Sequence, residues 1–144
     1  MNREEVRRLL QKLLGKEPVP FDAPSPSDWA KLEAQFQCTF DDTFRAFIDQ
    51  MSVFRFPGDV FNVSTGRTNG NDSIELVYDL ESQSQHWDPD MVPFYGVGNG
   101  DYFCLCKKEC PNSPIYYFFA ESATFAKYAS SFGQWIERLP ELLP

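Results

Sequence analysis

Residues 92–105 read VPFYGVGNGDYFCL, a stretch that is either a phosphate-binding loop or a turn between two strands. Gly96, Gly98 and Gly100 fall within five positions. A dinucleotide-binding loop needs a strand, then G-x-G-x-x-G, then a helix whose N-terminus meets the phosphates. Here the spacing is G-x-G-x-G, and the DYFCLC that follows has the aromatic and apolar character of a strand. Asp101 would set a negative charge beside any phosphate, and no G-K-[ST] is present. The stretch therefore predicts two strands joined by a turn. Asn99-Gly100 supplies the positive φ that such a turn needs, and Asp101 is expected to lock it by accepting local N–H groups.

Short segments rich in aromatic and β-branched residues recur after Pro57-Gly58. They are DVFNVS, SIELVYD, VPFYGV, DYFCLC and IYYFFAE, separated by Gly, Asn, Asp and Pro clusters. TGRTNGND and KKECPNSP read as turns. This pattern predicts five strands, mostly antiparallel. DYFCLC and IYYFFA are apolar on both alternations and belong at the centre of the sheet.

Helical grammar occupies the two ends. Val6, Leu9, Leu10, Leu13 and Leu14 follow the spacing of an amphipathic helix, with Gly15 as its stop. That helix is short and has no aromatic anchor, so it is expected to pack on the protein and not on a membrane. Ser25, Pro26 and Asp28 mark a second start, with Trp29, Leu32 and Phe36 on one face. Thr39 and Asp42 mark a third, followed by Phe40, Phe44, Phe47, Ile48 and Met51. Ser131 and Gln134 open a last helix carrying Phe132, Trp135, Ile136 and Leu139. Helices segregated from strands make an α+β fold, a mostly antiparallel sheet with N-terminal helices and a C-terminal helix packed against it. The 144 residues suit a single domain, 1–144. It divides into an N-terminal helix (1–16), a proline-rich connection (17–26) and a body (27–139).

Charge narrows the function. Residues 1–16 hold five basic and two acidic residues, whereas the other 128 hold 8 basic and 19 acidic. From Thr68 to Cys106 there is no Lys or Arg. Such a field repels nucleic acid and attracts basic partners. No run of apolar residues reaches the roughly 20 needed to span a bilayer, and the N-terminus lacks the apolar core of a signal peptide. A cytoplasmic location is expected.

No catalytic set stands out. Asp79, Glu81, His86, Asp88 and Asp90 could in principle bind a divalent ion or serve as acid and base, but nothing in their spacing fixes a geometry. Cys104, Cys106 and Cys110 invite a zinc reading, yet paired CxxC halves are missing and His86 is the one histidine of the chain. No cofactor is expected.

The order and spacing of several pieces resemble a known family. They are SDWAKLEAQFQCTFDDTFRAFI, MVPFYGVGNGDYFCL, IYYFFAES and YASSFGQWIERL. Pro93, Phe94, Gly96, Gly98, Asn99, Gly100, Asp101 and Cys104 carry one signature; Ser131, Phe132, Trp135 and Leu139 carry the other. Together they resemble the SUKH superfamily, the SMI/KNR family of fungal cell-wall assembly regulators and small bacterial proteins. The resemblance covers about Ser27 to Leu139. Two departures are local: Thr39-Phe40 stands where the family has Leu-Pro, and DQMSVFRF replaces a small Asn-Gly turn. The resemblance implies an α+β fold with no catalytic residues. It also implies a protein-binding role, either as an immunity protein that blocks a nuclease or deaminase toxin or as a regulatory scaffold. An acidic surface would suit a basic toxin domain. On that reading Glu81, Asp88, Asp90 and Asp101 supply charge. Trp87 and Tyr95 supply aromatic anchors, unless they belong to the core.

Overall fold

The computed structural model describes residues 1–14, 23–50, 54, 56–63 and 73–142. Gly15, most of the proline-rich connection, Met51 and the TGRTNGND turn lie outside the described residues. The elements run α1 (Arg3–Leu13), α2 (Pro26–Phe36), α3 (Asp42–Asp49), β1 (Asp59–Val60), α4 (Ile74–Glu81), β2 (Met91–Gly96), β3 (Tyr102–Cys106), β4 (Ile115–Phe119), β5 (Thr124–Ala129) and α5 (Phe132–Glu137). The five strands form one antiparallel sheet in the order β1-β2-β3-β4-β5. The fold is α+β.

Helix starts follow their side chains. Ser25 accepts from the Asp28 N–H while Asp28 accepts from the Ser25 N–H, with Pro26 at the first helical position. Ser131 accepts from the Gln134 N–H. The third start is displaced from expectation: the cap of α3 is Asp41, which accepts from the Phe44 N–H at 2.7 Å, and not Thr39. The Glu33 carboxylate takes the Phe40 N–H and pairs with Arg45 at 2.6 Å, so this connection is held in place by α2 and α3 together.

Two of the expected strands need correction. SIELVYD is not a strand but helix α4. Ser73 caps it by accepting from the Leu76 N–H, and Ile74 and Val77, three apart, are buried. DVFNVS shrinks to the two residues of β1, with an isolated parallel bridge from Asn62 to Ser73. The fifth strand is instead TFAKYA (β5), an edge strand with much of its length exposed.

Strand β2 is buried along its whole length, and the pairing with β3 shifts register between Pro93 and Tyr95. Proline has no N–H for the ladder, so a bulge there is natural. The bulge lets consecutive Phe94 and Tyr95 both stack on Trp135, at 5.0 and 5.3 Å between ring centroids. Phe47, Phe103 and Phe132 surround the same indole. Val6 and Leu10 of α1 join this core, and the Gln50 amide donates to the Arg3 carbonyl. The N-terminal helix thus packs on the protein, as its lack of an anchor implied.

The other face of the sheet carries a second, smaller core. Trp87, Met91, Cys104, Cys106 and Phe118 make it. Both faces of β3 are therefore covered. Alternation along β3 sends Phe103 and Leu105 to the helices and Cys104 and Cys106 to the opposite side.

Candidate functional site

The loop from Ser82 to Asp90 lies over the second face of the sheet, and Trp87 pins it there. The indole N–H donates to the Met91 carbonyl at 3.1 Å, and the ring packs edge-on against Phe118 at 4.9 Å and Phe125 at 5.0 Å. Serial turns hold the rest: Ser84 N–H to Glu81 carbonyl, Trp87 N–H to Ser84 carbonyl, Met91 N–H to Asp88 carbonyl. The Tyr78 hydroxyl donates to the Pro89 carbonyl. Between this loop and the turns at Gly100 and Ala120 runs an open cleft of about 320 Å³, with Glu81, His86, Tyr102 and Ala123 on its walls.

The six residues expected to form a partner surface are divided by the structure. Trp87 is 6% exposed and Tyr95 is 1% exposed. Both are core, the second of the two readings open to them, and neither offers an aromatic anchor to a partner. The Tyr95 ring is enclosed by Trp135, Phe103 and Gly58, and burial pushes its hydroxyl well above the usual tyrosine range. Glu81 stands at the cleft and accepts from the Tyr102 hydroxyl at 2.9 Å. Asp88 is exposed and accepts from the Asp90 N–H, closing a tight turn. Asp90 pairs with Lys108 at 3.0 Å, which offsets part of its charge.

Asp101 sits apart from that pair. The Lys107 N–H bonds to the Asp90 carbonyl at one end of β3, while Asp101 precedes the strand at its other end. The rise of a strand puts these ends roughly 20 Å apart. The Asp101 carboxylate bonds the Asn99 side chain within the turn, but it also reaches beyond the turn. It accepts from the Tyr117 hydroxyl on β4 and from the Ala120 N–H beyond it. The local lock is Asn99, whose side chain accepts from the Asp101 N–H. Gly98 and Gly100 take φ of 105° and 94°, whereas Asn99 does not have a positive φ, so the two-residue Asn99-Gly100 turn expected from the sequence gives way to a longer loop with two left-handed glycines.

The cysteines separate as well. Cys104 and Cys106 enter the second core, whereas Cys110 packs against the first, its thiol in contact with that of Cys38. Burial raises the Cys104 thiol well above its ordinary value. Among the described residues no group of three or more His, Cys, Asp or Glu is placed to hold a metal ion, and no helix is long and apolar enough to cross a membrane.

One surface feature is marked by no motif. Leu76 and Leu80 of α4 are 57% and 63% exposed. Read as a strand, they fall on the same face as Ile74 and Tyr78; on a helix, they turn away from them. The Ser73 cap was the signal that could have revealed this.

A sheet covered on both faces, capped by an aromatic core and edged by carboxylates, defines a small α+β module with an acidic rim. A family model described as SUKH_5, SMI1-KNR4 cell-wall, matches residues 4–141. The chain belongs to this family. The match begins at residue 4 and so takes in α1, which the resemblance read from the sequence left outside. A search of curated proteins finds none that matches.

Proposed function

We propose that this protein is a non-catalytic binding module of the cytoplasm, and that its partner is a basic toxin domain which it neutralises. Family membership is consistent with a binding module. The observation that carries the finer reading is the charge of the surface formed by residues 73–106. Glu81, Asp88, Asp90 and Asp101 edge it, and its own stretch of chain contains no Lys or Arg. A nuclease domain is basic because it must bind phosphates. An acidic partner is steered onto it quickly and covers the surface that its substrate would use. The four carboxylates provide charge without a buried aromatic anchor, since Trp87 and Tyr95 are committed to the cores.

A regulatory scaffold acting on a partner that is not a toxin is the second reading, and the cell-wall description of the family favours it. One experiment separates the two. The C-terminal domain of a large secreted protein encoded beside this chain is expressed with and without the chain, and growth is followed. Restored growth with a stable complex supports neutralisation. Unrelieved toxicity with no complex leaves the scaffold.

A further inference from the structure

The packing of α4 leaves two of its leucines without a structural role. Ile74 and Val77 are buried, and Tyr78 packs edge-on against Phe36 of α2 at 4.8 Å. Those three side chains satisfy the contact with the body of the protein. Leu76 and Leu80 point the other way, and no other large apolar side chain among the described residues is as exposed. A single exposed leucine is ordinary. Two at i and i+4 on one helix are neighbours, and so form one patch.

The charge beside the patch selects what can cover it. Glu75 and Asp79 are also four apart, so they form a parallel row along one side of the leucines. The described stretch that carries α4, residues 73–106, contains no Lys or Arg. Lys31 of α2 shares a cleft with Glu75, but Asp28 stands there too. A second copy of this chain meeting it through the same face would bring one acidic row against another. Anionic lipid and nucleic acid would be repelled in the same way.

We propose that the outward face of α4 is a docking surface for a basic protein segment, one that presents apolar side chains between its lysines or arginines. Leu76 and Leu80 are the apolar anchors, and Glu75 and Asp79 meet the flanking cations. This is the i, i+4 anchoring of helix recognition. The inference rests on the reading of the protein as a binding module, and it moves the anchors from Trp87 and Tyr95 to α4.

The test titrates the isotope-labelled full chain with a short amphipathic peptide of lysine and leucine. Amide shifts are expected to cluster between Ser73 and Ser82. Leu76→Ser with Leu80→Ser is expected to weaken binding by about tenfold or more, the loss that unburying leucine implies. Both side chains are exposed, so thermal melting should show the variant folded. Glu75→Lys with Asp79→Lys is expected to abolish binding. Shifts centred elsewhere, equal affinity in the serine variant, or no binding at millimolar peptide each overturn the proposal. Growth rescue together with such a failure leaves neutralisation standing without this face. Peptide binding at α4 without growth rescue leaves the face standing and removes the toxin.

Discussion

The hydroxyl of Tyr117 donates to the carboxylate of Asp101 at 2.5 Å. The contact ties the glycine-rich turn between β2 and β3 to the middle of β4. Burial raises the Asp101 carboxyl, but the Tyr117 hydroxyl and the Ala120 N–H outweigh it, and the net shift is downward. Burial and the same bond push Tyr117 up to about 12. The turn that resembles a phosphate loop is thus held by an anion already in place.

Asp101→Ala and Tyr117→Phe should be coupled. A hydrogen bond to a charged group contributes about 1.5–3 kcal/mol, less where solvent reaches it. A double-mutant cycle in urea is expected to show a coupling of about 1 kcal/mol. Additive losses would mean that the bond does not form in solution. The sign with pH follows from the lowered carboxyl. Its stabilisation is present above the ordinary value of 3.8 and is lost as pH falls through the lower folded value.

Alkaline pH should act through tyrosines. Tyr116, Tyr117 and Tyr128 are each pushed up to about 12. For Tyr116 the bond to Glu109 is the main cause; for Tyr117 and Tyr128 it is burial, followed by the bonds to Asp101 and Glu141. The folded state therefore holds these protons more tightly than the unfolded chain does. Stability is present in full below the ordinary value of 10.0 and is expected to fall as pH rises from there towards 12. Denaturant midpoints across that window, with ultraviolet titration of tyrosinate, check this. A flat midpoint would refute it.

Glycines should differ by mechanism. A Cβ at Gly58 would lie 2.5 Å from the Gly96 carbonyl oxygen and 2.6 Å from the Tyr95 ring. Gly58→Ala is expected to cost about 1–3 kcal/mol by overpacking. Gly98 has open space around it but a φ of 105°. Gly98→Ala is expected to cost about 1–2 kcal/mol through backbone strain alone. Thermal melting should separate them, because Tyr95→Phe with Gly58→Ala, which removes one crowded atom, should recover part of the first loss and none of the second.

Thiol chemistry should follow burial. The contact with the Cys110 thiol, partly offset by burial, lowers the Cys38 thiol, whereas desolvation raises Cys104. Cys38 is half-buried and Cys104 fully buried. Iodoacetamide at neutral pH is expected to label Cys38 first and Cys104 only after unfolding. Peptide mapping that finds both labelled at one rate would contradict the placement of Cys104 inside the second core.

Much of this fold was legible because the sequence punctuates it. Gly98, Asn99 and Gly100 marked the β2–β3 turn, and the Ser25 and Ser131 caps marked two helices. Where the reading failed, two periods fitted one stretch. Ile74, Leu76, Tyr78 and Leu80 alternate as a strand would, but Ile74, Val77 and Tyr78 also fit a helix, and the Ser73 cap decides for the helix. Strand β5 was missed because Thr124, Ala126 and Lys127 are exposed at a sheet edge, where no apolar alternation is required. The acidic character of the candidate surface could be read directly from composition. The burial of Trp87 and Tyr95 could not, since one depends on a loop folding back over the sheet and the other on a bulge.

That bulge also fixes how long β2 can be. A regular strand sends neighbouring side chains to opposite sides. Only the extra residue between Pro93 and Tyr95 delivers two consecutive rings to Trp135. Removing one residue from this strand would restore an even pleat and send Phe94 or Tyr95 across to the Trp87 side. The central indole would lose a neighbour, and the second core would have to admit an extra ring beside Trp87. The strand's residue count is therefore set by the tryptophan it feeds, not by the hairpin it belongs to.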